Sequence, residues 1–186
     1  MSIQNFISVD STLNSLIITS NIGKSKTIRL KSYLKSDNFS KDFDLILKKS
    51  SIDISQANLL LVNLGPGSYA GIRNILTCLK VLSLIKKIKI VGFTNNTLWK
   101  VVCKNTKNLA PMIISINKKF FNVGGKFREL KTNEFERILS KKKVVSNYEY
   151  NGIFKKNLVP FVYGFKDIEV LVQKKLFLDK NLKQKY

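Results

Sequence analysis

Residues 58–73 read NLLLVNLGPGSYAGIR, an apolar run that turns abruptly into a glycine-rich segment. Asn58–Asn63 has the length and continuity of a strand covered on both faces. Gly65 and Gly67 permit positive φ or close backbone approach, and Pro66 fixes one φ between them. Ser68 is placed to cap a helix running to about Lys87, whose first N–H groups form a ready anion site. A plain strand-to-helix turn accounts for all of this. The segment is not a P-loop, because no G-x-x-x-x-G-K-[ST] is present. Nor is it a dinucleotide fingerprint, because Gly65, Gly67 and Gly71 miss the G-x-G-x-x-G spacing.

Upstream, Phe6–Asp10, Leu13–Ser20 and Lys24–Ser32 are short β-rich runs separated by the polar turns Asp10-Ser11-Thr12 and Asn21-Ile22-Gly23, a three-stranded meander. A helix follows, with Ser40 able to cap it, Phe43, Ile46 and Leu47 as its apolar stripe and Lys48-Lys49 in its last turn. Downstream, Lys89–Phe93 reads as a strand and Asn95–Lys104 as a helix. The order β-β-β-α-β-α-β-α predicts an α/β fold, a mixed sheet flanked by helices. Met112–Asn117, Lys118-Lys119 and Phe120–Val123 then echo the opening strand–turn–strand. Helices near Asn133–Lys141 and Lys166–Leu176 complete a segment too short for a full second copy. The expected division is 1–109 and a shortened 110–186.

The helix after Ser68 is apolar over more than half its circumference. Ile72, Ile75, Leu76, Cys78, Leu79, Val81, Leu82 and Ile85 leave only Arg73, Thr77, Lys80 and Lys87 as a polar strip. One core contact needs an arc of about 100° or somewhat more. The helix is therefore either sandwiched inside its own fold or packs its sheet on one side and a partner on the other.

The 186 residues carry 33 Lys+Arg against 12 Asp+Glu, a formal charge of +21, and no histidine. Such an excess favours polyanions. It is spread evenly: residues 1–100 have 14 basic and 5 acidic side chains, and only four of the 33 basic residues are arginines. No basic tail or arginine stripe exists, so compositional bias toward lysine accounts for the charge, with weak nucleic-acid affinity as a by-product. Cys78 and Cys103 are isolated and lack metal-ligand spacing, which reads as reduced thiols. MSIQNFISVD lacks the features of a secretory leader, and no apolar run reaches the roughly 18 residues that span a bilayer. A cytoplasmic protein without membrane association is expected.

GPGSYAGIR resembles the GPGS-[FY]-[TS]-G-[VIL]-R signature of the TsaB family, a non-catalytic branch of the actin-like ATPase (ribonuclease H-like) superfamily. FISVDST is similar to that family's first strand and D-[TS]-[STA] turn, and KIVGF leading to NNTLW to its V-G-[VI]-[ST]-[ST]-L segment. Ile114–Lys119 sits where the family has its second hairpin. Departures are Ala70 for the usual Thr, Asn117 for an acidic residue, and Ser36-Asp37-Asn38 where a His is common.

The resemblance implies an actin-like fold with a reduced second copy, no catalytic residues and no cofactor, Asp10 and Thr12 being at most vestiges of a nucleotide site. It implies pairing with the transferase TsaD, with TsaE joining a larger assembly, tRNA reached through the complex and a homodimer possible when alone. The interface would comprise Gly65, Pro66, Gly67 and Ser68, which set the helix angle, with outward residues among Ile72, Ile75, Leu76, Leu79, Leu82, Phe43 and Leu47. TsaD itself holds a metal with a pair of histidines, which this chain cannot supply. The rival readings are a small-molecule kinase or other ATPase of the same fold, and a free-standing basic RNA-binding protein.

Overall fold

The computed structural model describes residues 4–12, 15–24, 26–31, 39–103, 110–115, 119–123, 126–146 and 152–178. Asn117 and the Ser36–Asn38 segment lie outside them.

The opening meander forms as expected: β1 (Phe6–Asp10), β2 (Ser15–Ser20) and β3 (Thr27–Lys31) are antiparallel neighbours. α1 (Phe39–Lys49) leads to β4 (Leu59–Asn63), α2 (Tyr69–Lys86), β5 (Lys89–Phe93) and α3 (Asn95–Val102). Strands β1, β4 and β5 run parallel, giving one sheet in the order β3-β2-β1-β4-β5.

Both faces of this sheet are covered, which is why its strands are apolar at successive positions. Ile7, Val9, Leu60, Val62 and Ile90 point to one side, where Phe43 and Leu47 of α1 and Ile75 and Leu79 of α2 pack on them. Phe6, Leu59, Leu61, Val91 and Phe93 point to the other, against Leu98 of α3.

The second sheet contains β6 (Ala110–Ser115), β7 (Lys119–Val123), β8 (Lys126–Glu129), β9 (Val144–Ser146) and β10 (Leu158–Pro160). Its order is β10-β9-β6-β7-β8, with β6, β7 and β8 antiparallel and β6, β9 and β10 parallel. That matches the first sheet strand for strand. α4 (Thr132–Lys141) covers it through Phe135 and Leu139, which meet Phe121 and Val144.

After β10 the chain crosses back, and α5 (Phe165–Gln173) packs Ile168, Leu171 and Val172 on the first sheet beside α3. It stops short of the expected Leu176. Leu178 N–H then donates to the Gly92 carbonyl at 2.7 Å, touching the edge strand β5. Among the described residues no helix is long and apolar enough to cross a membrane.

Candidate functional site

The carboxyl ends of the parallel strands β1 and β4 meet the glycine-rich turn, and side chains lock the two together. Asp10, the last residue of β1, is buried. Its Oδ1 accepts from Thr12 N–H at 2.8 Å and from the Thr12 hydroxyl at 2.7 Å, the local turn an Asp favours. Its Oδ2 accepts from Asn63 Nδ2 at 2.8 Å and from the Tyr163 hydroxyl at 2.6 Å. Asn63 Nδ2 also reaches Asn95 Oδ1 at 2.8 Å, while Asn95 Nδ2 donates to the Pro66 carbonyl at 2.7 Å. Burial of so many polar groups is affordable only because each is paired.

The turn itself is shaped by two glycines. Gly65 has φ +91°, a conformation that L side chains rarely adopt, and the Gly65–Pro66 bond is cis. At Gly67 an added Cβ would lie 2.2 Å from the Thr12 carbonyl oxygen and 2.5 Å from Thr12 Cβ, so no side chain fits. Ser68 N–H donates to that same carbonyl at 2.6 Å, and the Ser11 hydroxyl donates to the Gly71 carbonyl at 2.8 Å. The Asp10–Thr12 turn is thereby pressed onto the start of α2. Ser68 caps the helix as the sequence indicates, its hydroxyl accepting from Gly71 N–H at 3.1 Å.

This clamp fixes the direction of α2, and the helix presents two unequal sides. Gly71, Ile75, Leu79 and Ser83 face the sheet. Ile75, Leu79, Phe43 and Leu47 were expected among the outward residues; the structure corrects this, since all four are core residues under the sheet. Ile72, Leu76 and Leu82 are half-buried, with Leu76 and Leu82 packed along the rim of the core. The large hydrophobic residues of α2 that do reach solvent are Tyr69 at its start (80% exposed) and, towards its end, Val81 (49%), Leu84 (65%) and Ile85 (68%), with Leu45 of α1 also exposed. Arg73, Lys86 and Lys87 are exposed on α2 and its C-cap, and the sequence from Tyr69 to Lys87 contains no acidic residue.

Leu84 escaped the sequence reading although a signal was present. At 100° per residue it falls between Arg73 and Thr77, an apolar residue inside the polar strip. Asn63, Asn95 and Tyr163 had no such signal, because only the fold brings residues so far apart in sequence together.

Burial, followed by the charge of Asp10 and the hydrogen bond to it, raises the Tyr163 phenol well above its ordinary value. Desolvation likewise raises the Cys78 thiol, which suits an inert packing role.

No family model and no curated protein matches the chain. Solved structures do. YeaZ from Pseudomonas aeruginosa aligns with a TM-score of 0.51 at 10% identity, over 69% of this chain and 65% of that one. A protein with similarity to peptidase YeaZ, from the same organism, aligns with a TM-score of 0.57 at 8% identity, over 98% and 97% of the two chains. At such identities the likeness speaks for the fold. This chain has the fold of the YeaZ (TsaB) proteins, the family that its Gly65–Arg73 motif resembles.

Proposed function

We propose that the chain is a non-catalytic, TsaB-like subunit that pairs with TsaD for threonylcarbamoylation of N6 of the adenosine following the anticodon in ANN-decoding tRNAs. The observation that carries this reading is the clamp of Asp10–Thr12 on Gly65–Ser68, which presents α2 with Val81, Leu84 and Ile85 outward. Apolar side chains at this spacing suit a partner helix. On this reading the second sheet is a reduced copy of the first, which its matching strand order supports. TsaE and tRNA would join through the pair.

Co-expression with the TsaD of the same organism, affinity capture and light scattering test the proposal. A stable heteromer that Leu84→Asp/Ile85→Asp disrupts is the expected result. A folded chain and soluble TsaD that fail to associate would overturn it and favour direct, salt-dependent RNA binding.

A further inference from the structure

The positive charge is even along the chain but not in space. In the second half the fold gathers Arg137, Lys141, Lys142, Lys143, Lys155 and Lys156, all exposed. Two contacts bring them together. β9 and β10 run parallel with Val144 opposite Leu158, so Lys143 and Asn157 enter adjacent strands side by side. Asn157 Nδ2 donates to the Leu139 carbonyl at 2.7 Å, which ties the short turn Lys155–Asn157 to the last turn of α4. Lys142 extends over the Phe121 ring, 5.4 Å from its centroid.

A helix dipole favours a cation in the last turn, which accounts for Lys141. The effect falls off within that turn and does not gather Lys143, Lys155 and Lys156. Carboxylates do not offset the cluster. Glu134 is engaged at the other end of α4, where Arg128 Nη1 and Nη2 donate to it at 3.2 Å and the Lys131 N–H at 2.9 Å. Glu136 stands about 100° from Arg137 and about 140° from Lys141 around the helix. In the sequence only Glu149 falls between Arg137 and Asn157, and it lies outside the described residues. Lys48 of the first half, by contrast, has Asp44 at 2.6 Å. Along α4, Asn133, Arg137 and Lys141 share one face at four-residue spacing. Lys131, Asn133, Glu134 and Arg137 line an open groove there, so Arg137 is common to groove and cluster.

We infer that this face is a docking surface for a folded RNA, held through its phosphates: the backbone follows the groove beside α4 and the cations at its end neutralise it. Lysines serve phosphate as point charges, and such contacts position a nucleic acid without reading its sequence. A bilayer fits less well, because the apolar side of α4, with Phe135 and Leu139, is buried on the second sheet. Among the described residues no exposed aromatic ring stands with the cluster to stack bases, which favours a stem over a single strand. The inference goes beyond the pairing proposed above and is tested apart from it, on the chain alone.

A fluorescein-labelled RNA hairpin titrated with the chain should show saturable anisotropy at low salt. Six phosphate contacts predict a slope of log affinity on log salt of about −4 to −5. Lys141→Gln/Lys143→Gln/Lys156→Gln removes three charges and leaves Lys142 on Phe121. It should flatten the slope by about 2 to 3 and weaken binding about a hundredfold at about 0.1 M salt. Lys24→Gln/Lys48→Gln/Lys49→Gln removes the same charge from the first half and should leave the slope nearly unchanged. Equal losses from the two triples would overturn the inference, because the charge would then act as a diffuse whole. Absence of saturable binding, or binding to phosphatidylserine vesicles and not to the hairpin, would overturn it too. Hydrogen exchange on the wild-type chain needs no variant: the hairpin should slow amides within 137–143 and 155–158. Protection confined to other segments would place the RNA elsewhere and overturn the assignment.

Discussion

Gly67 has no room for even a methyl group, because Thr12 backbone and Cβ atoms stand 2.2–2.8 Å from where it would sit. Gly67→Ala must therefore push the Asp10–Thr12 turn away from α2. The expected cost is about 1–3 kcal/mol, the range for overpacking, read as a lower urea midpoint at unchanged slope. Ser68→Ala removes only the cap and should cost about 1 kcal/mol, with Ser68→Asp restoring most of it. The sequence exposed both residues through the glycine spacing and the position of Ser68. It did not expose what Gly67 touches, since Thr12 lies more than fifty residues earlier.

At the scale of the element, α2 distinguishes core from surface within two turns. Leu79 is fully buried, whereas Leu84 and Ile85 stand mostly in solvent. Leu79→Asp places an unpaired charge under the sheet and should unfold the chain. Leu84→Asp/Ile85→Asp should leave the thermal midpoint nearly unchanged, because exposed substitutions cost within about 0.5 kcal/mol, while abolishing capture of TsaD. Circular dichroism together with pull-down separates the two outcomes. Periodicity showed that α2 has too many apolar positions for one contact. It could not say which of them face the sheet, because that depends on the helix's rotation, and the Thr12 clamp sets it.

Across the whole molecule, one apolar cluster joins the halves. Phe6, Leu59, Val91 and Phe93 of the first sheet share it with Val145, Phe161 and Tyr163, and with Ile168 and Leu171 of α5. Ring stacking of Phe6 on Phe165, with centroids 5.9 Å apart, adds to the join. Unfolding should consequently be a single transition, coincident by far-ultraviolet circular dichroism and by the fluorescence of Trp99. A fragment of residues 1–109 should fail to form a stable monomer, since it would expose that face. Two separate transitions would show independent halves. The charge of +21 acts at this scale as well. Self-repulsion opposes the compact state, so moderate salt should raise the thermal midpoint by screening it.

Stability should also fall at alkaline pH. The Tyr163 phenol is raised above its unfolded value, so the folded state holds that proton more tightly. This contribution is fully present below the unfolded value of about 10 and is lost as pH rises from there through the folded value. Tyr163→Phe should remove that part of the alkaline loss, as seen in midpoints measured between about pH 8 and 11.

The sequence by itself determined the meander, the doubly covered strand β4, the capped helix α2 and the resemblance carried by Gly65–Arg73, because those rest on period, turn chemistry and local capping. Only the tertiary structure decided that Asp10 is satisfied by Asn63 and Tyr163, that α5 returns to the first sheet, and that Leu84 rather than Leu79 faces outward. These depend on which distant segments meet, and a buried polar group's partner is chosen by the packing of the fold and not by its neighbours in the chain.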